Sequence, residues 1–346
     1  MAGLLESQCV MNGSDVTLSD LAVRLTALRK RNAKIAITAH IRPDGDAIGS
    51  AVGLYHILKD QNFHVEIVDL GPIPDCYRFL MIDIDLKNAD SCLPQDYDLL
   101  IVLDTGSIDR APTFAQQWLD LTPTVNIDHH PTNTKFGTSN CVIPTASAVA
   151  EIITQFATVA SWPISTAAAT ALWVGIVTDT GRFAYSSTSP ATMLAAATLL
   201  ENNVNTPQID QDVFETASLG ALRIQARAIE KMQLLQEQKL AVIPLSRQDF
   251  RFCEAQSEDA EEVINLPRRL HTVTVAIVIT EMEESTPSAP RTKISFRTKP
   301  PFDAGTFCEA LGGGGHARAA GCELPQNLAN ATDLIIQRVQ EAWFCS

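Results

Sequence analysis

In the stretch Val125-Asn126-Ile127-Asp128-His129-His130-Pro131, an apolar run typical of a buried strand ends in a carboxylate and two imidazoles and stops at a proline. Similar apolar runs, each read as a buried strand, occupy 34–39, 64–69 and 99–104. Helical patterns lie between and after these strands, at 47–59, 145–159 and 167–177. Strands that alternate with helices predict an α/β fold whose parallel sheet carries helices on both faces.

Chemically active side chains follow the predicted strands at the same end. His40 comes directly after the first strand, Asp104 closes the third, and Asp128-His129 closes the fourth. Open parallel sheets bind their ligands at the carboxyl ends of the strands. We therefore expect these residues, with Asp179 in Thr178-Asp179-Thr180-Gly181, to form one site.

The types of residue in this set favour divalent metal ions. Carboxylates suit hard divalent ions, and manganese also accepts imidazole. Without metal the carboxylates would repel one another and raise their pKa values. Two divalent ions would balance four negative charges and could clamp a phosphorus atom for in-line attack. The candidates are the carboxylates Asp44, Asp46, Asp104 and Asp179 and the imidazoles His40 and His129.

The turn Asp44-Gly45-Asp46 can aim one carboxylate at each of two ions. Pro43 stiffens the approach to this turn, and Gly45 is expected to supply a positive φ. The small residues Gly49 and Gly53 keep the following helix narrow. Its positively polarised N-terminus is then able to lie near a phosphate.

Composition limits the functions that the chain can have. Its 346 residues, 46% of them hydrophobic, suffice for two domains with proper cores. The net charge of −14 argues against a broad basic face for long duplex nucleic acid. No run of 18 apolar residues predicts a membrane span, and residues 1–10 lack a secretory pattern. Eight scattered cysteines without a C-x-x-C pair indicate reduced thiols and a cytoplasmic protein.

The character of the chain changes after residue 205. We expect a metal-binding catalytic domain over 1–205, a helical linker over 206–238 and a smaller α/β domain over 239–346, with the active site in the cleft between the domains. The linker carries one long helix at 217–235. In the smaller domain, strands are predicted at 240–243, 272–279 and 293–296, a helix at 259–270, and a hairpin turn at 283–291.

A glycine-rich loop, Gly312-Gly313-Gly314-Gly315-His316, marks the smaller domain. Four glycines cost conformational entropy, so they indicate close backbone approach or a nest of N–H groups for an anion. Arg318 can grip a phosphate bidentately. A flexible loop with a surface histidine is the alternative. The substrate-binding candidates are Gly313, Gly314, Gly315, His316, Arg318 and, more weakly, Arg297.

The ordered set of motifs resembles the DHH phosphoesterase family. The segment from Gly312 to Gly321 resembles the signature of the DHHA1 domain that follows the DHH domain in that family. The two-domain layout is similar to the nanoRNase/pAp phosphatase group. Members of that group degrade very short oligonucleotides and dephosphorylate 3′-phosphoadenosine 5′-phosphate (pAp). The chain departs from the pattern of the family at two positions, where Arg42 and Ser187 replace an asparagine that is frequent in its members.

The resemblance implies a role for each residue. It implies that His40, Asp44 and Asp104 hold one Mn²⁺, and that Asp46, Asp104, His129 and Asp179 hold a second, with Asp104 bridging. Water activated by the two metals would attack phosphorus, and Mg²⁺ is the alternative ion. His130 would contact the scissile phosphate, and Asp128 would orient the neighbouring histidine.

The implied partners are short oligonucleotides or phosphorylated nucleotides, without long duplexes or membranes, and a homodimer stays open. Four other functions remain as alternatives. They are a cyclic-di-AMP or pApA phosphodiesterase, a single-strand exonuclease, an inorganic polyphosphatase or pyrophosphatase, and a non-catalytic nucleotide sensor.

Overall fold

The computed structural model describes residues 14–344, and the chain forms two compact units, Met1–Thr216 and Ala217–Ser346. Residues 1–10, in which no secretory signal was expected, lie outside the described range. The segment predicted as a linker is divided between the units. Its first helix packs into the core of the first unit through Ile209 and Val213, and its second into the other through Ile224.

The first unit alternates strands and helices. Its strands are β1 (Ser14–Asp15), β2 (Lys34–Ala39), β3 (His64–Val68), β4 (Leu86–Lys87), β5 (Leu99–Leu103), β6 (Thr124–Asp128) and β7 (Ser139–Val142). Its helices are α1 (Leu18–Lys30), α2 (Gly45–Asp60), α3 (Thr113–Trp118), α4 (Val149–Ala160), α5 (Thr166–Asp179), α6 (Pro190–Leu200) and α7 (Thr206–Phe214). The predicted strands and helices of this unit are present, with small shifts at their ends.

All seven strands run parallel, in the order β1-β7-β6-β5-β2-β3-β4. From β2 the chain moves outward to β3 and β4, and from β5 it moves outward in the opposite direction. The order therefore reverses between β2 and β5, which is where open α/β sheets bind ligands. His40 follows β2 and Asp104 follows β5, so the two residues flank this reversal.

Helices cover both faces of the sheet. Ile35, Ile37 and Ile101 pack into a core with α1, α2, α4 and α5. Ala36 and Val102 point to the other face, where they pack with α3. The predicted parallel sheet with helices on both faces is confirmed.

A stripe of glycines brings α2 close to α5. A Cβ on Gly49 would lie 2.4 Å from the Ala171 carbonyl oxygen, and one on Gly53 would lie 2.5 Å from Leu172. The glycines that keep α2 narrow are therefore required because α5 occupies the space that side chains at these positions would need. This contact fixes the start of α2 near the end of α5, where Asp179 lies.

The second unit is a smaller α/β structure, as predicted. Its strands are β8 (Gln233–Leu235), β9 (Leu240–Leu245), β10 (Val275–Glu281), β11 (Thr292–Thr298), β12 (Gly314–His316) and β13 (Ala319–Leu324). Its helices are α8 (Leu219–Lys231), α9 (Arg247–Cys253), α10 (Ala304–Glu309) and α11 (Leu328–Trp343). The six strands lie in the order β12-β13-β11-β10-β9-β8, and only β9 and β10 are parallel.

Two helix predictions in this unit differ from the structure: the first helix is present but shorter, and the second is not an α-helix. The helix predicted at 217–235 ends at Lys231, because residues 233–235 pair with β9 and the turn at 236–238 has left-handed φ angles of 52° to 67°. The helix predicted at 259–270 consists of short 3-10 turns at Glu258–Asn265 and Pro267–Arg269. Pro267 has no N–H and cannot continue a helical hydrogen-bond ladder. Within residues 14–344, no helix combines the length and apolar character that crossing a bilayer requires.

Candidate metal centre

Asp104 lies at the centre of the candidate site. Its φ of 49° is left-handed, and its side chain is 4% exposed. The Oδ2 atom lies 3.4 Å from Nε2 of His40. The Oδ1 atom lies 3.6 Å from Nε2 of His129 and 3.6 Å from Nδ1 of His130. The strand ends thus bring together three imidazoles around one buried carboxylate.

One oxygen of Asp104 has no hydrogen-bond partner among the described residues. Its Oδ1 atom is buried and accepts no hydrogen bond from the described part of the chain. An unsatisfied buried polar group costs about 1–3 kcal/mol, and more when it is charged. A cation between this oxygen and the imidazoles would satisfy it, so the residues present fit a bound metal ion.

Each of the three imidazoles is oriented by a hydrogen bond from its Nδ1 atom. The pairs are His40 with the Ile41 carbonyl at 2.9 Å, His129 with the Ala146 carbonyl at 3.3 Å, and His130 with Asp128 Oδ1 at 2.8 Å. An acceptor at Nδ1 assigns the proton to that atom and leaves Nε2 as the free ligand atom. Asp128 therefore orients His130, and a backbone carbonyl orients His129.

Asp44 serves both the site and the start of α2. Its Oδ1 atom accepts from the backbone N–H groups of Asp46 at 3.1 Å and Ala47 at 3.0 Å, and lies 3.7 Å from Nε2 of His40. The expected positive φ of Gly45 is not found, because this residue is the first of α2. A Cβ there would lie 2.4 Å from Thr178 Oγ1, so close packing against α5 requires the glycine.

Asp46 is fully buried and joins α2 to α4. Its Oδ2 accepts from the N–H of Val149 at 2.6 Å, and its Oδ1 accepts from the N–H of Ala150 at 2.9 Å and the hydroxyl of Ser50 at 2.9 Å. Burial and the neighbouring Asp104 carboxylate raise the pKa of Asp46, while the two N–H donors oppose that rise. The positive end of α4 thus helps to hold a charge that burial disfavours.

The protein groups alone leave the site with excess negative charge. Burial and then the carboxylates of Asp46 and Asp104 raise the pKa of Asp179 to about 8. Burial alone would lower the pKa of His40, but its contacts with Asp104 and Asp44 outweigh burial and raise it to about 10. Both shifts show that this cluster favours an added positive charge, whether a proton or a metal ion.

Among residues 14–344, three overlapping groups of side chains could hold a metal ion. In each group the donor atoms lie within 4.8 Å of one another. The groups are His40, Asp44 and Asp104; Asp46, His129 and Asp179; and Asp104, His129 and His130. All six predicted ligands are thus gathered at one end of the sheet, and their assignment to individual ions stays a prediction.

The glycine-rich segment of the second unit is a strand, not the anion-binding nest that was one expectation. Gly314 to His316 form β12, which pairs antiparallel with β13 because the segment folds back as a hairpin. His316 and Arg297 both pair with Ala319, one from each side. Directly paired residues point to the same face of a sheet, so His316 and Arg297 share a face.

Two of the glycines have a packing reason. A Cβ on Gly313 would lie 2.2 Å from the Gly321 carbonyl oxygen, and one on Gly315, whose φ is 137°, would lie 2.6 Å from that of Ala319. Gly314 has no atom within 4 Å of such a Cβ, which leaves open space above that point of the sheet. The Arg318 guanidinium donates to the Phe302 carbonyl.

Family models match both units. A model of the DHH family, N-terminal domain, matches residues 34–176, and a model of the DHHA1 domain matches residues 252–342. The chain belongs to the DHH/DHHA1 family of phosphoesterases. It is therefore a hydrolase of ester bonds. The candidate metal centre lies in the DHH unit, and the face with His316 and Arg297 lies in the DHHA1 unit.

Three relatives illustrate the likeness. The bifunctional oligoribonuclease and PAP phosphatase NrnA of Thermus thermophilus is 28% identical, over 92% of this chain and 94% of its own length. The cyclic-di-AMP phosphodiesterase PdeA of Listeria monocytogenes is 26% identical, over 92% of this chain and 49% of its own. The solved structure of an exopolyphosphatase-related protein from Bacteroides fragilis is 25% identical, with a TM-score of 0.83, and covers 92% of this chain and 95% of that one.

The sequence did not reveal several residues around the DHH centre. Asn133 donates to Asp128 Oδ2 at 2.6 Å, and its place three residues after the motif was an available signal. Burial raises the pKa of Tyr77, and the charges of Cys76, Asp44 and Asp179 add to this rise. Tyr77 lies in a 3-10 helix, Asp75–Met81, that no pattern in the sequence links to the site.

Proposed function

We propose that the chain is a manganese-dependent phosphoesterase that hydrolyses very short oligonucleotides and pAp. The buried Asp104 oxygen without a hydrogen-bond partner carries this proposal, because a divalent ion satisfies it. The likeness to the NrnA enzyme of Thermus thermophilus over almost the whole of both chains supports the choice of substrates.

The ligand set divides naturally around Asp104. His40, Asp44 and Asp104 would hold one ion, and Asp46, Asp104, His129 and Asp179 the other, so that Asp104 uses both of its oxygens. When bound, the ions supply positive charge that offsets the phosphate oxygens, and they activate water as the nucleophile. The chain contributes the orientation of the ligands, fixed at Nδ1 of each imidazole and at the N-terminus of α4.

His130 and Asp128 act together on the substrate. The Asp128 hydrogen bond raises the pKa of His130, while burial and, to a smaller extent, the Arg110 guanidinium oppose the rise. A protonated imidazole held at Nδ1 presents Nε2–H to the scissile phosphate. It stabilises charge that develops on a phosphate oxygen, and Asp128 keeps the ring in place.

The DHHA1 unit binds a phosphate that does not react. His316 and Arg297 project from one face of its sheet, and Gly314 leaves the floor beside them open. Gly313 and Gly315 allow β12 to fold back tightly, and Arg318 contributes a further cation. A few local cations suffice for a short substrate, which is consistent with a chain of net charge −14.

A cyclic-di-AMP or pApA phosphodiesterase is the second candidate. The likeness to PdeA of Listeria monocytogenes spans 92% of this chain but only 49% of that enzyme, so the shared part is the DHH and DHHA1 arrangement. The same metal ligands and the same face with His316 and Arg297 would serve a cyclic substrate. The two candidate functions differ only in which nucleotide is preferred.

A hydrolysis panel tests the proposal. The substrates are pAp, pApA, cyclic-di-AMP, oligonucleotides of two to ten nucleotides, and inorganic polyphosphate, each with Mn²⁺, with Mg²⁺ and with EDTA. We expect Mn²⁺-dependent turnover of pAp and of the shortest oligonucleotides. Preference for cyclic-di-AMP would select the second candidate, and rates that rise with chain length would indicate an exonuclease. Manganese binding without turnover of any substrate would indicate a nucleotide sensor.

A further inference from the structure

A basic cavity of about 290 Å³ lies on the DHHA1 sheet beside Arg297. Arg268 and Arg269 line it from the 3-10 turn after Pro267, and Lys299 lines it from the end of β11. Ala276, directly opposite Arg297 on β10, lines it with a small side chain. Three positive side chains in addition to Arg297 therefore surround one concave space.

These three cations have no acidic partner in the described chain. No carboxylate oxygen within residues 14–344 lies within 4.0 Å of Arg268, Arg269 or Lys299. Arg268 instead donates to the Asn265 side-chain oxygen at 2.7 Å, which holds it at the rim. Several other cations of this unit are paired with nearby carboxylates, namely Arg223 with Glu254, Arg227 with Asp249, and Arg291 with Glu323. The cavity thus concentrates uncompensated positive charge in an acidic protein.

An acidic cavity lies on the other side of Arg297. Its volume is about 590 Å³, and its walls include Glu261, Glu262, Glu281, Glu283 and Glu284. A phosphate would be repelled there and attracted on the side of Arg268. A polyanion in contact with Arg297 is therefore directed into the basic cavity.

We propose that the cavity of Arg268, Arg269 and Lys299 binds a third phosphate of the substrate, beyond the reacting phosphate and the one bound at His316 and Arg297. This inference rests on the proposed function for the identity of the substrate. Both pAp and pApA carry two phosphates, whereas pApApA carries three. The cavity therefore distinguishes trinucleotides from shorter substrates through charge, without reading the base.

Binding of labelled nucleotides to the full chain in EDTA tests this inference without turnover. The variant Arg268→Gln/Arg269→Gln should weaken the binding of pApApA about tenfold and leave pAp and pApA within about twofold. Loss of one phosphate contact should also make the slope of the logarithm of the pApApA binding constant against the logarithm of the salt concentration shallower by about 0.7.

The matched control is Arg251→Gln/Arg338→Gln, which removes the same charge from two exposed arginines of this unit that do not line the cavity. Equal weakening of pAp, pApA and pApApA, equal weakening in the control, or no change for pApApA would overturn the inference. If the test variant melts earlier than the control, Lys299→Gln replaces it, with the same comparison of substrates.

The binding result is separate from the proposed function. Wild-type chain that binds pApApA through these arginines but hydrolyses no nucleotide would retain the cavity and reject the enzyme. Hydrolysis of short oligonucleotides with binding that ignores the arginines would retain the enzyme and reject the cavity.

Discussion

At the scale of single residues, the site depends on how each imidazole is held. The His130 ring is hydrogen-bonded to the buried carboxylate of Asp128, and Asn133 fixes that carboxylate through its other oxygen. Because this arrangement involves side chains close together in sequence, much of it could be predicted from the motif.

Asp128→Asn should lower kcat of the manganese-loaded enzyme about 10–100-fold, as loss of an orienting partner does at metal sites. The Asp128 hydrogen bond is the largest cause of the raised pKa of His130, so its loss lowers that pKa. If protonated His130 assists the reaction, the alkaline limb of the kcat profile moves to lower pH. Asp120→Asn, an exposed aspartate, is the control, and an unchanged profile in both variants would contradict the role of Asp128.

Arg42 adopts a left-handed φ of 57°. Asparagine tolerates this conformation better than other side chains with a Cβ, which gives a physical reason for the asparagine frequent at this position in the family. Arg42→Asn should raise the free energy of unfolding by about 0.5–1 kcal/mol. Arg31→Asn, at a residue with a φ of −95°, should give no such gain in chemical denaturation, and equal effects would remove the backbone explanation.

Sequence could not reveal contacts that join distant parts of the chain. Asp46 accepts from the N–H of Val149, a residue 103 positions away, and His129 is held by the carbonyl of Ala146 rather than by a side chain. Backbone partners leave no motif. The motifs could therefore predict that the side chains meet, but not how each is oriented.

At the scale of elements, the packing of α2 against α5 sets the position of the metal centre. Apolar strands and periodic helices made most of the DHH unit predictable. The strand β7, which lies between β1 and β6, escaped prediction because Ser139 and Asn140 are buried polar residues without an apolar run. In the DHHA1 unit, β8 was predicted as part of a helix because its short, mostly exposed sequence shows no alternation of polar and apolar residues.

Gly49→Ala should destabilise the DHH unit by about 1–3 kcal/mol, although alanine is the better helix former. The added Cβ would lie 2.4 Å from the Ala171 carbonyl oxygen and 2.8 Å from the Gly175 nitrogen, both backbone atoms. Gly314→Ala, where no atom lies within 4 Å, should change stability little in the same denaturant titration. A neutral Gly49→Ala would show that the two helices can separate freely.

Asp249 joins α8 to the start of α9. It accepts from Arg227 Nε at 2.9 Å, Lys231 Nζ at 2.5 Å and the Ser246 N–H at 2.8 Å, and its side chain is 5% exposed. Although burial alone would raise the pKa of Asp249, these donors outweigh burial and hold it well below the usual range. Its stabilisation is therefore present above the ordinary aspartate pKa and is lost as pH falls towards the depressed value.

Asp249→Asn should lower the free energy of unfolding by about 3 kcal/mol at pH 7. Denaturant titrations from pH 7 to pH 2 should show the deficit shrink below about pH 4, where the unfolded wild type takes up a proton. Asp333→Asn, at an exposed position of α11, is the control. A deficit that is constant with pH would assign the effect to packing instead.

At the scale of the whole molecule, the net charge of −14 and the acidic cluster of the candidate metal centre predict that stability depends on divalent ions. A ligand that binds the folded chain stabilises it by about 2.7 kcal/mol at a concentration 100 times its Kd. Mn²⁺ added to EDTA-treated protein should therefore raise Tm by several degrees, on the order of 2–4 °C per kcal/mol. Sodium chloride at equal ionic strength is the control, and an equal rise with salt would reduce the effect to screening.

If the cluster around Asp104 carries metal-dependent hydrolysis, the rate of phosphate release from pAp should follow a Mn²⁺ titration. The wild-type rate should rise from near zero in EDTA to saturation. Asp104→Asn removes the bridging charge, so its rate should stay about 100-fold lower or more at every Mn²⁺ concentration, with folding checked by thermal melts. Wild-type turnover that survives EDTA, or an Asp104→Asn variant as active as wild type, would contradict the account.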